Sequence, residues 1–195
     1  MVEAGSDKPV RRTPRGAVAA LAVTVVTMAM FGTGLSFAQS GGVGAPGGTT
    51  TTPTPTAPAG SMIFPVGGAH TIGQGFGAAR SGHTHQGQDI MAACGTPLVA
   101  VSRAKVKWVS SQRLAGNYVV IRNKKLHQDY MYAHLATRTS VSKGQVVLPG
   151  QQVGIVGQTG DATACHLHFE LWVGKWYRGG HPVNPLPNLQ TYAGY

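Results

Sequence analysis

From residue 62 to about residue 189, apolar positions recur with the period of a strand and nowhere hold a helical period for more than about two turns. Lys105-Val106-Lys107-Trp108-Val109 alternates polar and apolar side chains. Tyr118-Val119-Val120-Ile121, Tyr130-Met131-Tyr132-Ala133, Gln152 to Val156 and His166 to Val173 are rich in β-branched and aromatic residues. Such residues suit a pleated, half-buried surface. Turn residues separate these runs at Gly116-Asn117, Gly144, Pro149-Gly150 and Gly157. The pattern predicts a mainly β domain over residues 62–189, an antiparallel sheet or sandwich large enough to bury its own core, followed by a short tail at 190–195.

The first sixty residues read differently. Lys8, Arg11, Arg12 and Arg15 precede an apolar run from Ala17 to Phe31, and Ser36-Phe37-Ala38 offers small residues for signal-peptidase cleavage. Residues 1–38 are therefore expected to be an export signal or, if uncleaved, an N-terminal anchor. Residues 39–61 are almost wholly Gly, Thr, Pro, Ala and Ser, the composition of a solvated linker. Both segments put the domain outside the cytoplasm. The chain of 195 residues carries a formal charge of +10, and removing residues 1–38 leaves it strongly basic. That charge suits an anionic partner. Export disfavours nucleic acid and favours a polyanionic wall, with a membrane met only through an uncleaved N-terminus.

All eight histidines fall between His70 and His181, and four sit in two clusters, His83-Thr84-His85-Gln86-Gly87-Gln88-Asp89 and Cys165-His166-Leu167-His168-Phe169-Glu170-Leu171. On a strand, His166, His168 and Glu170 share one face while Leu167, Phe169 and Leu171 turn to the core. An isolated His-x-His is more often a surface pair than a ligand pair. His85 and Asp89 shift that balance, because a glycine-containing turn lets a nitrogen and an oxygen donor converge, and catalytic zinc takes such a mixture with three protein ligands.

These residues, with Gly95-Thr96-Pro97-Leu98-Val99-Ala100, Gly116-Asn117-Tyr118-Val119-Val120-Ile121 and Tyr132-Ala133-His134-Leu135, resemble the lysostaphin-type (LytM-type, glycyl-glycine endopeptidase) zinc metallopeptidases. The likeness runs from Gly73 to Pro185. It implies one zinc ion (Zn2+) held by His85, Asp89 and His168, with His134 and His166 off the metal and serving catalysis. It further implies an endopeptidase that hydrolyses peptidoglycan stem-peptide cross-links and cross-bridges through a zinc-activated water; the exported domain is expected to be a monomer. A non-catalytic wall-binding domain that regulates other wall hydrolases is the alternative within the same family. His83 matches no family ligand; His70, His127 and His181 are read as surface or turn residues. Arg80 is open between a group that binds a substrate carboxylate and a surface arginine. Glu170 is open between a partner that orients a ligand and a solvated carboxylate.

Cys94 and Cys165 are the two cysteines of the chain. Exported proteins with two cysteines often pair them. A Cys94–Cys165 bond would pin the two histidine clusters together; free thiols or metal thiolates fit the spacing less well.

Overall fold

A computed structural model describes residues 61–137 and 139–195. The expected signal at 1–38, and the linker up to residue 60, lie outside the described residues. The described part is built from twelve strands and one helical turn. In chain order these are β1 (His70–Ile72), β2 (Ala79–Arg80), β3 (His83–Thr84), β4 (Gln88–Ala92), β5 (Pro97–Val99), β6 (Ala104–Gln112), β7 (Gly116–Asn123), β8 (Gln128–Leu135), β9 (Val146–Val147), β10 (Gln152–Ile155), β11 (His166–Val173), β12 (His181–Val183) and α1 (Leu186–Leu189). Every run expected to be a strand is one.

Eight strands form an antiparallel sheet in the order β1-β4-β11-β8-β7-β6-β9, with β12 pairing along the far half of β11. The pairs β5–β10 and β2–β3 form two small sheets. The alternation of β11 is borne out: Leu167, Phe169 and Leu171 are at most 1% exposed, and full burial of each such side chain stabilises the fold by about 1.5–3 kcal/mol. Tyr130 and Tyr132 of β8 pack beside them, and Phe64, Leu98, Val153, Val156 and Leu189 complete the same core. A buried phenol must find partners, and Tyr132 does: its hydroxyl donates to Val99 O and accepts from Val101 N, both at 3.0 Å. Strict alternation fails in β6, where a bulge between Val106 and Trp108 shifts the register against β7.

Among the described residues the core runs from Phe64 to Tyr192, all of it inside one compact unit. That unit therefore has what it needs to fold alone. Residues 190–195, set apart in sequence as a tail, pack against the domain: Tyr192 is buried, and Ala193 bridges to Ile63. No helix among the described residues is long and apolar enough to cross a membrane.

The predicted disulfide is present. Cys94 and Cys165 are joined with their Cα atoms 5.3 Å apart, linking the end of β4 to the start of β11 across 71 residues of sequence.

Candidate metal centre and groove

Two adjacent strands set the site. Asp89 of β4 lies directly opposite His168 of β11, and His168 in turn lies opposite Ala133 of β8, one residue before His134. His166 precedes His168 by two and shares its face. His85 comes from the turn between β3 and β4, which brings its ring over Asp89. At the apex of that turn is Gly87, where a Cβ would strike the Phe169 carbonyl and crowd the His168 ring at 3.0 Å. Only glycine lets the turn approach β11 this closely.

The sequence-predicted ligands therefore meet. His85 Nε2 lies 2.8 Å from His168 Nδ1 and 3.0 Å from Asp89 Oδ1, and His168 Nδ1 lies 3.1 Å from the same oxygen. A proton count shows what these atoms need. His85 Nδ1 faces Gly75 O at 2.8 Å; a carbonyl only accepts, so the proton is on Nδ1 and Nε2 carries a lone pair. His168 Nε2 faces Glu170 Oε1 at 3.2 Å, which leaves the lone pair on Nδ1. With both rings neutral, two nitrogen lone pairs and a carboxylate oxygen point at one another with no proton between them. Such a cluster requires a cation. One metal ion fits it, and nitrogen and oxygen donors of this kind suit zinc.

The electrostatics carry the same mark. Burial opposes ionisation of Asp89, yet hydrogen bonding and charge from His168 and His85 hold its carboxyl well below the usual carboxylate range. Burial lowers the pKa of His168, but Asp89 and Glu170 outweigh it and push it up to about 9. A proton on His168 is one way to satisfy the cluster; a metal ion is the other.

His134 and His166 stand beside this cluster, their ring centroids 4.7 Å apart. His134 Nδ1 donates to Thr159 O at 2.8 Å and His166 Nδ1 to Ala164 O at 2.9 Å, so both keep a lone pair on Nε2. His166 Nε2 lies 3.6 Å from Asp89 Oδ1. His134 adopts a left-handed backbone, φ 60°, held by its N–H bond to Ala115 O at 2.9 Å. Strain of this kind persists where surrounding bonds fix it. Burial lowers the His134 pKa to about 4.

The centre opens into a groove of about 700 Å³. One wall is Arg80 to Gln86 and the other is the β6–β7 hairpin, Gln112 to Ala115. Tyr177 donates to Gln86 Oε1 at 2.8 Å, and its ring lies tilted against Trp172 and edge-on to Trp176.

A sequence model of peptidase family M23 matches residues 83–185, which span both ligand strands and both further histidines. The chain belongs to peptidase family M23. Among its M23 relatives, ShyA of Vibrio cholerae, named a peptidoglycan DD-endopeptidase, is 38% identical over 102 residues, 52% of this chain and 22% of ShyA. The chain thus matches only a minor part of that longer relative. The solved catalytic domain of lysostaphin from Staphylococcus simulans shares the M23 fold at TM-score 0.58 and 29% identity, covering 63% of this chain and 93% of that one. A zinc-containing peptidase from Vibrio cholerae matches at TM-score 0.56 and 33% identity, over 64% of this chain and 39% of that one. The expected lysostaphin-type resemblance and antiparallel β fold are borne out.

Two residues left open in sequence acquire partners. Glu170 is buried and accepts from Trp172 Nε1 at 2.7 Å and Trp176 Nε1 at 3.1 Å while facing His168. Arg80 donates to Asp89 Oδ2 at 2.5 Å, leaving Oδ1 to the histidines; it is a partner of the carboxylate rather than a free surface charge. His83 lines the groove wall and bonds Ser81 O. His70 stacks on Phe64 at 4.2 Å, while His127 and His181 are exposed. These last three are remote from the cluster.

Proposed function

We propose that this chain is an extracytoplasmic zinc-dependent endopeptidase that hydrolyses peptide cross-links of bacterial peptidoglycan. The observation that carries the reading is the convergence of His85 Nε2, Asp89 Oδ1 and His168 Nδ1 within 4.8 Å of one another, two ring nitrogens and a carboxylate oxygen in the geometry of one metal site. These three residues would hold the ion. Zinc bound there would supply Lewis acidity toward the scissile carbonyl and make a water acidic enough to attack near neutral pH.

The remaining chemistry falls to the protein. His134 and His166 each present an unprotonated Nε2 beside the cluster, fixed by Thr159 O and Ala164 O. One takes the proton of the attacking water and passes it to the departing amine. The other, when it has taken a proton from solvent, donates to the oxyanion and keeps that proton once the oxyanion collapses. Such help is worth roughly 10²- to 10⁴-fold. The groove, at about 700 Å³, has room for a peptide segment, and Trp176 and Tyr177 line one part of it. The peptidoglycan substrate is taken from relatives such as ShyA. The regulatory alternative is disfavoured because no member of the histidine–aspartate set is missing.

The test is release of new amines from purified peptidoglycan by residues 49–195, with zinc, with chelator and as His168→Ala. Chelator-sensitive release absent from the variant is expected, and mass spectrometry of the fragments names the bond. A zinc-loaded protein that releases nothing from several wall types would overturn the reading in favour of a regulator.

A further inference from the structure

At the end of the sheet away from the groove lies a second hollow of about 700 Å³, and its chemistry is unlike the first. It is lined by Arg103, Lys105, Lys124 and Lys125, with Leu126 and Val146 between them. The strands separate the two sites. The catalytic groove takes the Gln112–Ala115 end of β6 and β7, and the hollow takes Ala104 to Lys105 and Arg122 to Leu126 at the other. Along β7 that is roughly 23 Å.

Three features mark this end. None of the ion pairs among the described residues involves Arg103, Lys105, Lys124 or Lys125, and all four are exposed. Arg122, at the same place, is already neutralised by Asp129 at 2.6 Å. Of the four carboxylate side chains in the described residues, Asp89, Asp129 and Glu170 are buried; the exposed one, Asp161, lines the groove instead. Among the described residues no free carboxylate side chain therefore screens the lysines. Second, Leu126 is 49% and Val146 45% exposed, so apolar side chains stand among cations. Third, Ser61 and Met62 line the same hollow, so the chain that carries the basic and apolar N-terminal segment joins the domain at this face.

We propose that this face docks the domain on the surface of an anionic phospholipid bilayer. Lysines and arginine meet the phosphates while Leu126 and Val146 enter the interface, as basic and apolar residues do together at membrane surfaces. A polyanionic wall polymer would use the charges and leave the two apolar side chains without a purpose. The docked domain holds its groove away from the bilayer, toward the wall. A membrane contact by the folded domain departs from the sequence expectation that only the N-terminal segment would meet one. The inference is independent of catalysis.

The experiment is co-sedimentation of residues 49–195 with vesicles of phosphatidylcholine alone or mixed with phosphatidylglycerol, and with linear polyphosphate as competitor. Binding is expected only to the anionic vesicles and should fall with salt. Each basic residue contributes about fivefold to partitioning, so Arg103→Gln/Lys124→Gln/Lys125→Gln should weaken it by about a hundredfold. Leu126→Gln should weaken vesicle binding and leave polyphosphate binding unchanged. Arg113→Gln, on the groove, should change neither appreciably. The substituted residues are exposed, so unchanged thermal unfolding will show that the variants fold. Equal binding to neutral vesicles, no binding, or an unaffected triple variant would overturn the proposal. Vesicle binding that ignores Leu126→Gln and is weaker than polyphosphate binding would overturn it in favour of a wall polymer.

Discussion

Asp89 has two oxygens with different duties, and the division depends on Arg80. Its guanidinium holds Oδ2 and leaves Oδ1 facing His85 and His168. Arg80→Gln should weaken zinc binding by about tenfold or more, as loss of a partner behind a ligand does, measured by competition with a chromophoric chelator. Glu170 does the same for His168, and two indole N–H groups fix it in turn. Glu170→Gln points amide hydrogens at donors and should cost about 10- to 100-fold in zinc affinity. His134→Ala should behave in the opposite way. It should keep one zinc per chain by elemental analysis and lose roughly 10²- to 10⁴-fold in turnover. His85, Asp89, His134, His166 and His168 were readable because they sit in short motifs whose strand alternation and order are visible in the chain. Arg80 was not, since the β2–β3 hairpin that carries it to Asp89 is only two residues per strand. The Trp172 contact was within reach, as Trp172 lies two residues beyond Glu170 on the same face.

The strands were readable for an equally local reason: β7, β8 and β11 are dense in β-branched and aromatic residues whose pattern states which face is buried. What the pattern omits is pairing. Nothing in Gln88–Ala92 announces that it lies against His166–Phe169, and no periodicity reveals the bulge of β6. The joint between β4 and β11 is also where covalent chemistry intervenes. The Cys94–Cys165 bond fastens these two strands at one end of the ligand set. Cys94→Ala/Cys165→Ala should lower stability by about 2–5 kcal/mol, read from denaturant midpoints of the zinc-free protein. A variant as stable as the parent would mean that the strand ladder alone holds the joint.

Across the domain as a whole, the buried phenols make alkaline stability a test of the core. Burial pushes Tyr130 and Tyr132 well above the usual range and Tyr192 up to about 12. An unfolded chain loses these protons near pH 10, so above that the folded state binds more protons than the unfolded one. Stability is therefore full below about pH 10 and is lost as the pH rises from there through about 12. Thermal melts across that range should show the fall, and Tyr192→Phe should blunt it; a flat profile would contradict the packing described. The same disulfide has a topological consequence. It closes residues 94–165 into a covalent ring that contains β5 to β10 and His134, while His85, Asp89, His166 and His168 lie on the two arms outside it. A protease that nicks an exposed turn of the ring, such as Lys124–His127, cannot split the molecule. On a gel without reductant the nicked protein runs as one chain, and with reductant as two. A cut of that kind leaves His85, Asp89 and His168, the proposed zinc ligands, on arms still joined to each other by the disulfide.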